Sequence, residues 1–390
     1  MSEFERVSIE ADDPGFLTRW IEKKMRARRM EYSTHGELNV YAGTFNVNNR
    51  TLDDDGDESL SPWLVRSGEP APDLYVICFQ EMVDLNTVNV VFDGHKTEER
   101  MEYWRLRVVE SLSLVPDAVY SLVCEEKMVG IGLFVFAKNE LVQRPVPSLS
   151  SSSSSAAATA ALEPAISDVR VATAPVGVLG VMGNKGGVCA RLNVHDTSFC
   201  FVGTHLTSGQ TDVEARDHDY FEIIRKTTFK TAIPEPSHDQ AARAKPWRRT
   251  GAMREFQDLG IADHTVVIWM GDLNYRIDGE RDDILEFIAK QKIDVLLQHD
   301  QLNKERAQHS SLFAGFCEGP IDFNPTYKYA PGSTEYQGLE GKKLRAPAWC
   351  DRILFRSCEG EGDQERLGRH DENARDSSGG LHFVPANSTL

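Results

Sequence analysis

The sequence predicts an α/β fold, on three observations. From residue 37 onward, apolar strand-like runs alternate with polar loops and helical stretches, the pattern of strands that need helices to cover them. Several of these runs end in a residue type suited to phosphate or metal chemistry, as happens where a site is built along one edge of a sheet. The chain has 390 residues, 41% hydrophobic and 26% charged, an ordinary globular composition that supports a large core. At roughly 150 residues per domain this length fits two or three domains, or one large α/β domain.

The clearest strands are NVYAGTF (39–45), LYVICF (74–79), IGLFVFA (131–137), VCARLNV (188–194), FCFVGT (199–204), TVVIWM (265–270) and WCDRILF (349–355). No internal repeat is visible. Residues 148–164, SLSSSSSSAAATAALEP, hold almost no large apolar side chain; such a stretch cannot offset its ordering entropy and is expected to be a disordered insertion between strands. The acidic run TLDDDGDE (51–58) reads as a solvated loop, and the polar, turn-rich stretch after Phe355 lacks a core pattern. Residues 14–32 carry six Lys/Arg against one Glu between positions 19 and 30, with Trp20 and Met30 among them. They read as a surface helix that packs its few apolar residues on the main domain, the alternative being a basic face turned to an anionic membrane.

The formal charge of −17 argues against broad attraction to nucleic acid, so an anionic ligand must meet a locally basic pocket. Seven cysteines, odd in number and without CxxC pairing, read as buried thiols of a reducing compartment and not as a disulfide or zinc framework. No apolar run approaches the roughly 18 residues that span a bilayer, and MSEFERVSIEADD has no apolar signal region. The expectation is a cytoplasmic chain.

The strand ends carry the chemistry. NVYAGTF runs into Asn46 and Asn48, LYVICF into Gln80 and Glu81, FCFVGT into His205, and TVVIWM into Asp272 and Asn274. One carboxylate with carboxamide and water ligands suits Mg²⁺, with Glu81 as the carboxylate and Asn46 assisting. A cation there neutralises charge that develops during in-line attack on phosphorus. Asp272 is placed to take the proton of an attacking water, Asn274 to hold a phosphate oxygen or orient that water, and His205 to hydrogen-bond the scissile phosphate. A second constellation, GNKGG (183–187), NPTYKY (324–329) and KKLRAPAWCDR (342–352), supplies Lys185, Tyr327, Lys328, Lys343 and Arg345. Several cationic donors in an acidic chain suit a substrate with more than one phosphate. The glycine stretch lacks the spacing GxxxxGK[ST], which excludes a nucleotide P-loop.

Taken in order, GTFNVN, FQE, GNKGGV, THLTSGQ, WMGDLNYRID, FNPTYKY and RAPAWCDRILF resemble the catalytic domain of the inositol polyphosphate 5-phosphatases, most of all its synaptojanin-like, phosphoinositide 5-phosphatase branch. The resemblance covers about 37–356. It implies the four-layer α/β sandwich of deoxyribonuclease I and the AP endonucleases (the endonuclease/exonuclease/phosphatase fold), Mg²⁺ as cofactor, and removal of the 5-phosphate from inositol lipids or soluble inositol phosphates. It assigns metal binding to Glu81 with Asn46, the general base to Asp272, phosphate contacts to Asn274 and His205, and contacts to a neighbouring 4-phosphate to Tyr327, Lys328, Lys343 and Arg345. Asp351 is expected to orient a second histidine. The implied organisation is a basic helical lead-in over 1–36, the catalytic domain over 37–357 and a polar tail over 358–390. A monomer is implied, acting on a phosphoinositide headgroup at a membrane surface, with no nucleic-acid partner. One departure stands out: the family closes its domain with a strand opening in Ser-Asp-His, and no such motif follows LHFVPANSTL. His370 and His382 do not sit in that context. The resemblance therefore implies either a chain truncated before its last strand or a phosphoinositide-binding domain with impaired turnover. A phosphodiesterase of the same fold is the remaining alternative.

Overall fold

The computed structural model describes residues 20, 24–25, 28, 31, 36–52, 59–84, 94–143, 164–176, 184–232, 256–330, 332–337 and 345–357. Most of the N-terminal lead-in, nearly all of the Ser/Ala insertion, Lys343 and the tail after 357 lie outside these residues. The chain divides into Met1–Leu38 and Asn39–Leu390. In the first unit Trp20, Lys24, Met25 and Glu31 have helical backbone. There the Lys24 ammonium stands 5.7 Å from the Trp20 ring and Arg28 Nη2 pairs with Glu31 at 2.6 Å.

The second unit contains two facing sheets. The strands are β1 (Val40–Asn46), β2 (Leu74–Gln80), β3 (Tyr120–Met128), β4 (Ile131–Lys138), β5 (Ile166–Pro175), β6 (Gly186–Val194), β7 (Thr197–His205), β8 (Phe229–Ala232), β9 (Phe256–Leu259), β10 (Val266–Asp272), β11 (Cys317–Glu318) and β12 (Asp351–Ser357). The longer helices are α1 (Gly94–Leu112), α2 (Val213–Lys226), α3 (Arg281–Ala289), α4 (Ile293–Gln298) and α5 (Gln301–Gln308). Sheet one has the order β1-β2-β4-β3 and sheet two the order β11-β12-β10-β7-β6-β5, while β8 and β9 form a separate ribbon. In sheet one β1 and β2 run parallel, and in sheet two β10 and β7 do; the other neighbours are antiparallel. β1 packs across the interlayer on β10 and β12, β2 on β7, and β3 on β5 and β6.

Helices cover the outer faces and complete four layers. α1 buries Met101, Trp104, Val108 and Leu112, one stripe at helical spacing, against Tyr75, Ile77, Phe79, Phe134 and Phe136 of sheet one. The Phe79 and Trp104 rings stack 4.7 Å apart. α2 buries Tyr220 and Ile223 against Cys189, Cys200, Val202 and Trp269 of sheet two. Phe313 joins the Trp269 ring at 5.3 Å. Because β2, β4, β6, β7 and β10 are covered on both faces, they read as continuous apolar runs, which is why the sequence shows them so plainly. A third cluster joins α3 and α4 through Ile284, Ile288 and Leu296 to Ala348, Trp349 and Cys350, fixing the segment that leads into β12.

Candidate active site

Strand parity brings the polar residues together. Side chains alternate faces along a strand, and Tyr75, Ile77 and Phe79 of β2 face α1, so Val76, Cys78 and Gln80 face the other sheet. Val267 and Trp269 of β10 and Cys200 and Val202 of β7 face the α2 side, which turns Met270, Asp272, Gly203 and His205 inward. Leu354 belongs to the α2-side cluster as well, and by the same alternation Arg352 faces outward while Asp351 faces inward. The pairing register places these residues at one level: Asn46 opposite Gln80, Asp272 opposite both His205 and Asp351, and Gly186 opposite His205. Two apolar inner faces thus become polar at one shared end.

The backbone there is unusual. Gly271 has φ +146°, and a Cβ on it would lie 2.0 Å from the Thr204 carbonyl oxygen, so only glycine lets β10 close on β7 just before Asp272. Asn48 (φ 49°), Glu81 (φ 51°) and Asn274 (φ 57°) adopt the left-handed conformation, which costs a non-glycine residue energy and is least unfavourable for asparagine.

Asn46 Nδ2 bridges the sheets, donating to Glu81 Oε1 at 3.0 Å and to Asp272 Oδ2 at 2.9 Å. His205 Nε2 stands 3.4 Å from Asp272 Oδ2 and 3.8 Å from Glu81 Oε1, and is also met by Lys185 Nζ. Glu81, His205 and Asp272 offer ligand atoms all within 4.8 Å of one another. Two carboxylates and an imidazole fit a divalent cation, and carboxylate oxygens suit a hard one. In the described conformation the N–H groups of Asn46 and Lys185 are turned to this concentration of negative charge.

Burial works to raise the Asp272 pKa, but the adjoining His205 and the Lys185 and Arg276 cations overcome it and hold the carboxyl below its usual range, keeping it a carboxylate. Burial lowers the Lys185 pKa to about 8 against the pull of Asp272 and Glu81. Burial, with the charges of Asp272 and Glu81 added, pushes Asp351 well above the usual carboxyl range and favours its protonated form. Asp351 Oδ1 and His205 Nδ1 are buried without a hydrogen-bond partner.

The structure thus brings together Asn46, Glu81, Lys185, His205, Asp272 and Asn274, with Asp351 on the strand beside Asp272. Two details bear on the expected roles. Asn46 Oδ1 accepts from Asn48 N at 3.0 Å, which leaves its second lone pair for a cation, while Asn46 Nδ2 tethers the two carboxylates and His205 stands with them in a cluster of three. The expected histidine beside Asp351 is not among the described residues. Asn274 is anchored by its own N–H to Asp272 Oδ1 at 3.1 Å and by Nδ2 to the Leu206 carbonyl at 3.0 Å. A carboxamide nitrogen carries two hydrogens, so one remains for a phosphate oxygen or a water.

The second constellation assembles around Tyr327, whose hydroxyl accepts from Arg345 Nη1, while Lys328 Nζ donates to Asn48 Oδ1 at 3.0 Å. Asn48 follows Asn46 by two residues, so the two groups adjoin. Sequence reasoning did not single out Arg276. Its guanidinium donates to the Asn274 carbonyl at 3.0 Å and to Asn274 Oδ1, and lies 4.2 Å from the Tyr327 ring centre. Its place two residues after Asn274 in WMGDLNYRID was the available signal.

The family model described as Endonuclease/Exonuclease/phosphatase family 2 matches residues 43–376. The mouse (Mus musculus) type II inositol 1,4,5-trisphosphate 5-phosphatase is 36% identical over 327 residues, covering 83% of this chain and 27% of that protein. Rat (Rattus norvegicus) synaptojanin-1 is 32% identical over 351 residues, covering 86% of this chain and 19% of that protein. The chain therefore spans about a quarter or less of the length of these relatives. A crystal structure of the inositol polyphosphate 5-phosphatase domain of a synaptojanin, in complex with inositol (1,4)-bisphosphate and calcium ion, superposes with a TM-score of 0.65 at 29% identity, covering 88% of this chain and 83% of that one. Cimex nitrophorin, at 19% identity and a TM-score of 0.53, shares the fold. Sandwich, converging strand ends and matched family model agree that the chain belongs to endonuclease/exonuclease/phosphatase family 2, in its inositol polyphosphate 5-phosphatase group.

Proposed function

We propose that this domain hydrolyses the 5-phosphate of a phosphoinositide such as phosphatidylinositol 4,5-bisphosphate, with Mg²⁺ held by Glu81 and assisted by Asn46, beside Asp272 and His205. The observation that carries the reading is the meeting of an acidic, metal-fitting cluster with a cationic and phenolic group around Tyr327 at the same end of the sandwich. A single phosphate needs only the first; a second phosphate on the ring gives Tyr327, Lys328 and Arg345 their purpose. Asp272, held as a carboxylate, takes the proton of a water aligned opposite the leaving inositol oxygen. The free Asn274 N–H and the Lys185 ammonium stabilise phosphate oxygens as charge shifts among them. The metal, when bound, supplies electrostatic stabilisation of the negative charge that accumulates on the transferred phosphoryl group. The relatives' names support this reading: one is a trisphosphate 5-phosphatase and another was crystallised with an inositol bisphosphate. We place the reaction at the cytoplasmic surface of a membrane, in keeping with described cysteines that are all unbridged.

The test is Mg²⁺-dependent phosphate release from phosphatidylinositol 4,5-bisphosphate vesicles, beside Asp272→Ala. Removing the general base is expected to lower the rate by at least about a thousandfold. A second reading, headgroup binding without turnover, is favoured by the unpartnered atoms of Asp351 and His205. Headgroup binding with no release at any Mg²⁺ concentration would establish it.

A further inference from the structure

Arg276 touches both halves of the site with different parts of one rigid group. Its edge faces Asn274: Nε donates to the backbone carbonyl at 3.0 Å and Nη2 donates to the side-chain oxygen. Its Cζ lies over the Tyr327 ring, 4.2 Å from the ring centre. The residue is 6% exposed, and its backbone is fixed on both sides by Gln301, whose Oε1 accepts from Arg276 N at 2.8 Å and whose own N donates to the Arg276 carbonyl at 2.8 Å.

A guanidinium only donates. Its contact with Asn274 Oδ1, together with the acceptor carbonyl of Leu206 on Nδ2, fixes which way that carboxamide is turned. The same cation is held over the Tyr327 ring by cation–π attraction, and the Tyr327 hydroxyl accepts from Arg345. The chain of contacts runs Arg345, Tyr327, Arg276, Asn274, Asp272, with Tyr327 separated from Arg276 by 51 residues of sequence. We propose that Arg276 is a positioning residue that couples recognition of a neighbouring phosphate at Tyr327 and Arg345 to the orientation of Asn274 beside Asp272. The inference rests on the phosphatase reading above and adds to it a route by which the second phosphate raises turnover as well as affinity.

The experiment compares kcat and KM of the parent and of Arg276→Lys on short-chain phosphatidylinositol 4,5-bisphosphate and phosphatidylinositol 5-phosphate, the second lacking the neighbouring phosphate. Lysine keeps the charge but has neither plane nor fork. Arg276→Lys is expected to lower kcat on the bisphosphate by roughly a hundredfold, while kcat on the monophosphate changes far less, so the preference collapses. A purely structural role would lower both substrates by the same factor, and that result overturns the proposal. Tyr327→Phe, which keeps the ring beside the buried arginine and removes only the hydroxyl that faces Arg345, serves if Arg276→Lys does not fold: it is expected to raise KM for the bisphosphate while leaving kcat near the parent's, and a fall in kcat equal to that in kcat/KM would overturn the proposal. If the parent releases no phosphate, calorimetric binding of inositol 1,4-bisphosphate separates the two claims. Non-additive effects of Arg276→Lys and Arg345→Ala on that binding would uphold the coupling while the catalytic reading fails. Additive effects, or no binding by the parent, would overturn the coupling too.

Discussion

Gly271 and His264 show how single residues set conditions for the whole site. Gly271 lies against the Thr204 backbone where no Cβ fits. Gly271→Ala must push β10 away from β7 one residue before Asp272. It is expected to cost about 3 kcal/mol in urea unfolding and to abolish phosphate release, and a variant with parental stability and rate would remove the steric argument. His264, 1% exposed, accepts at Nε2 from Arg191 Nε at 3.0 Å, and its Nδ1 lies 3.2 Å from the Ile261 carbonyl. Nδ1 therefore carries the ring's single proton. Burial, with Arg191 adding its charge, holds this histidine below its usual pKa. As pH falls through about 6.5 the unfolded chain takes up a proton that the folded chain refuses, so stability falls until the folded ring protonates in turn. The unfolding midpoint is expected to be lower at pH 5.5 than at pH 7.5, and His264→Gln to narrow the difference. An undiminished pH dependence in that variant would assign the effect to other groups.

β12 illustrates what an element contributes beyond its hydrogen bonds. It carries Asp351 to the site on one face, and on the other Arg352 reaches Asp300, the N-cap of α5, at 3.0 Å and Glu318 of β11 at 2.6 Å. Arg352 and Asp300 side chains are 2% and 0% exposed, so Asp300→Ala leaves a buried cation with Glu318 as its one carboxylate partner among the described residues and uncaps a helix. A loss of about 3–5 kcal/mol is expected, seen as a lower urea midpoint at unchanged slope; a loss below about 1 kcal/mol would mean that Glu318 alone suffices. Five of the seven strands legible in the sequence are buried on both faces, and β1 and β12, only partly buried, were legible by their apolar runs; all seven had ends read to within one or two residues. β3 escaped because YSLVCEEKM is half-buried throughout, and β5 because ISDVRVATAP alternates irregularly across a register shift between Ser167 and Arg170. Among site residues, Glu81, His205, Asp272 and Asn274 were legible because each follows an apolar run directly. Arg276 was not, since its role depends on Tyr327, which only the tertiary fold brings near. The direction of the Asn46 amide was equally out of reach, because it is set by hydrogen bonds to Asn48, Glu81 and Asp272 together.

At the scale of the molecule, the site is distributed over two sheets that, among the described residues, share no backbone hydrogen bonds with each other. Asn46 and Glu81 come from sheet one, His205, Asp272 and Asp351 from sheet two. Packing between the inner faces is what aligns them: Gly203 of β7 approaches so closely that a Cβ there would sit 2.5 Å from Cys78 Sγ of β2. The 2.9 Å bond from Asn46 to Asp272 consequently behaves as a vernier between two slabs. A slip of one strand residue, about 3.3 Å, would break it while leaving each slab's own ladder and its buried tryptophan, Trp104 or Trp269, undisturbed. In a urea titration, phosphate release is therefore expected to vanish at lower denaturant than the change in tryptophan fluorescence. Coincident curves would mean that the slabs part only when each of them melts.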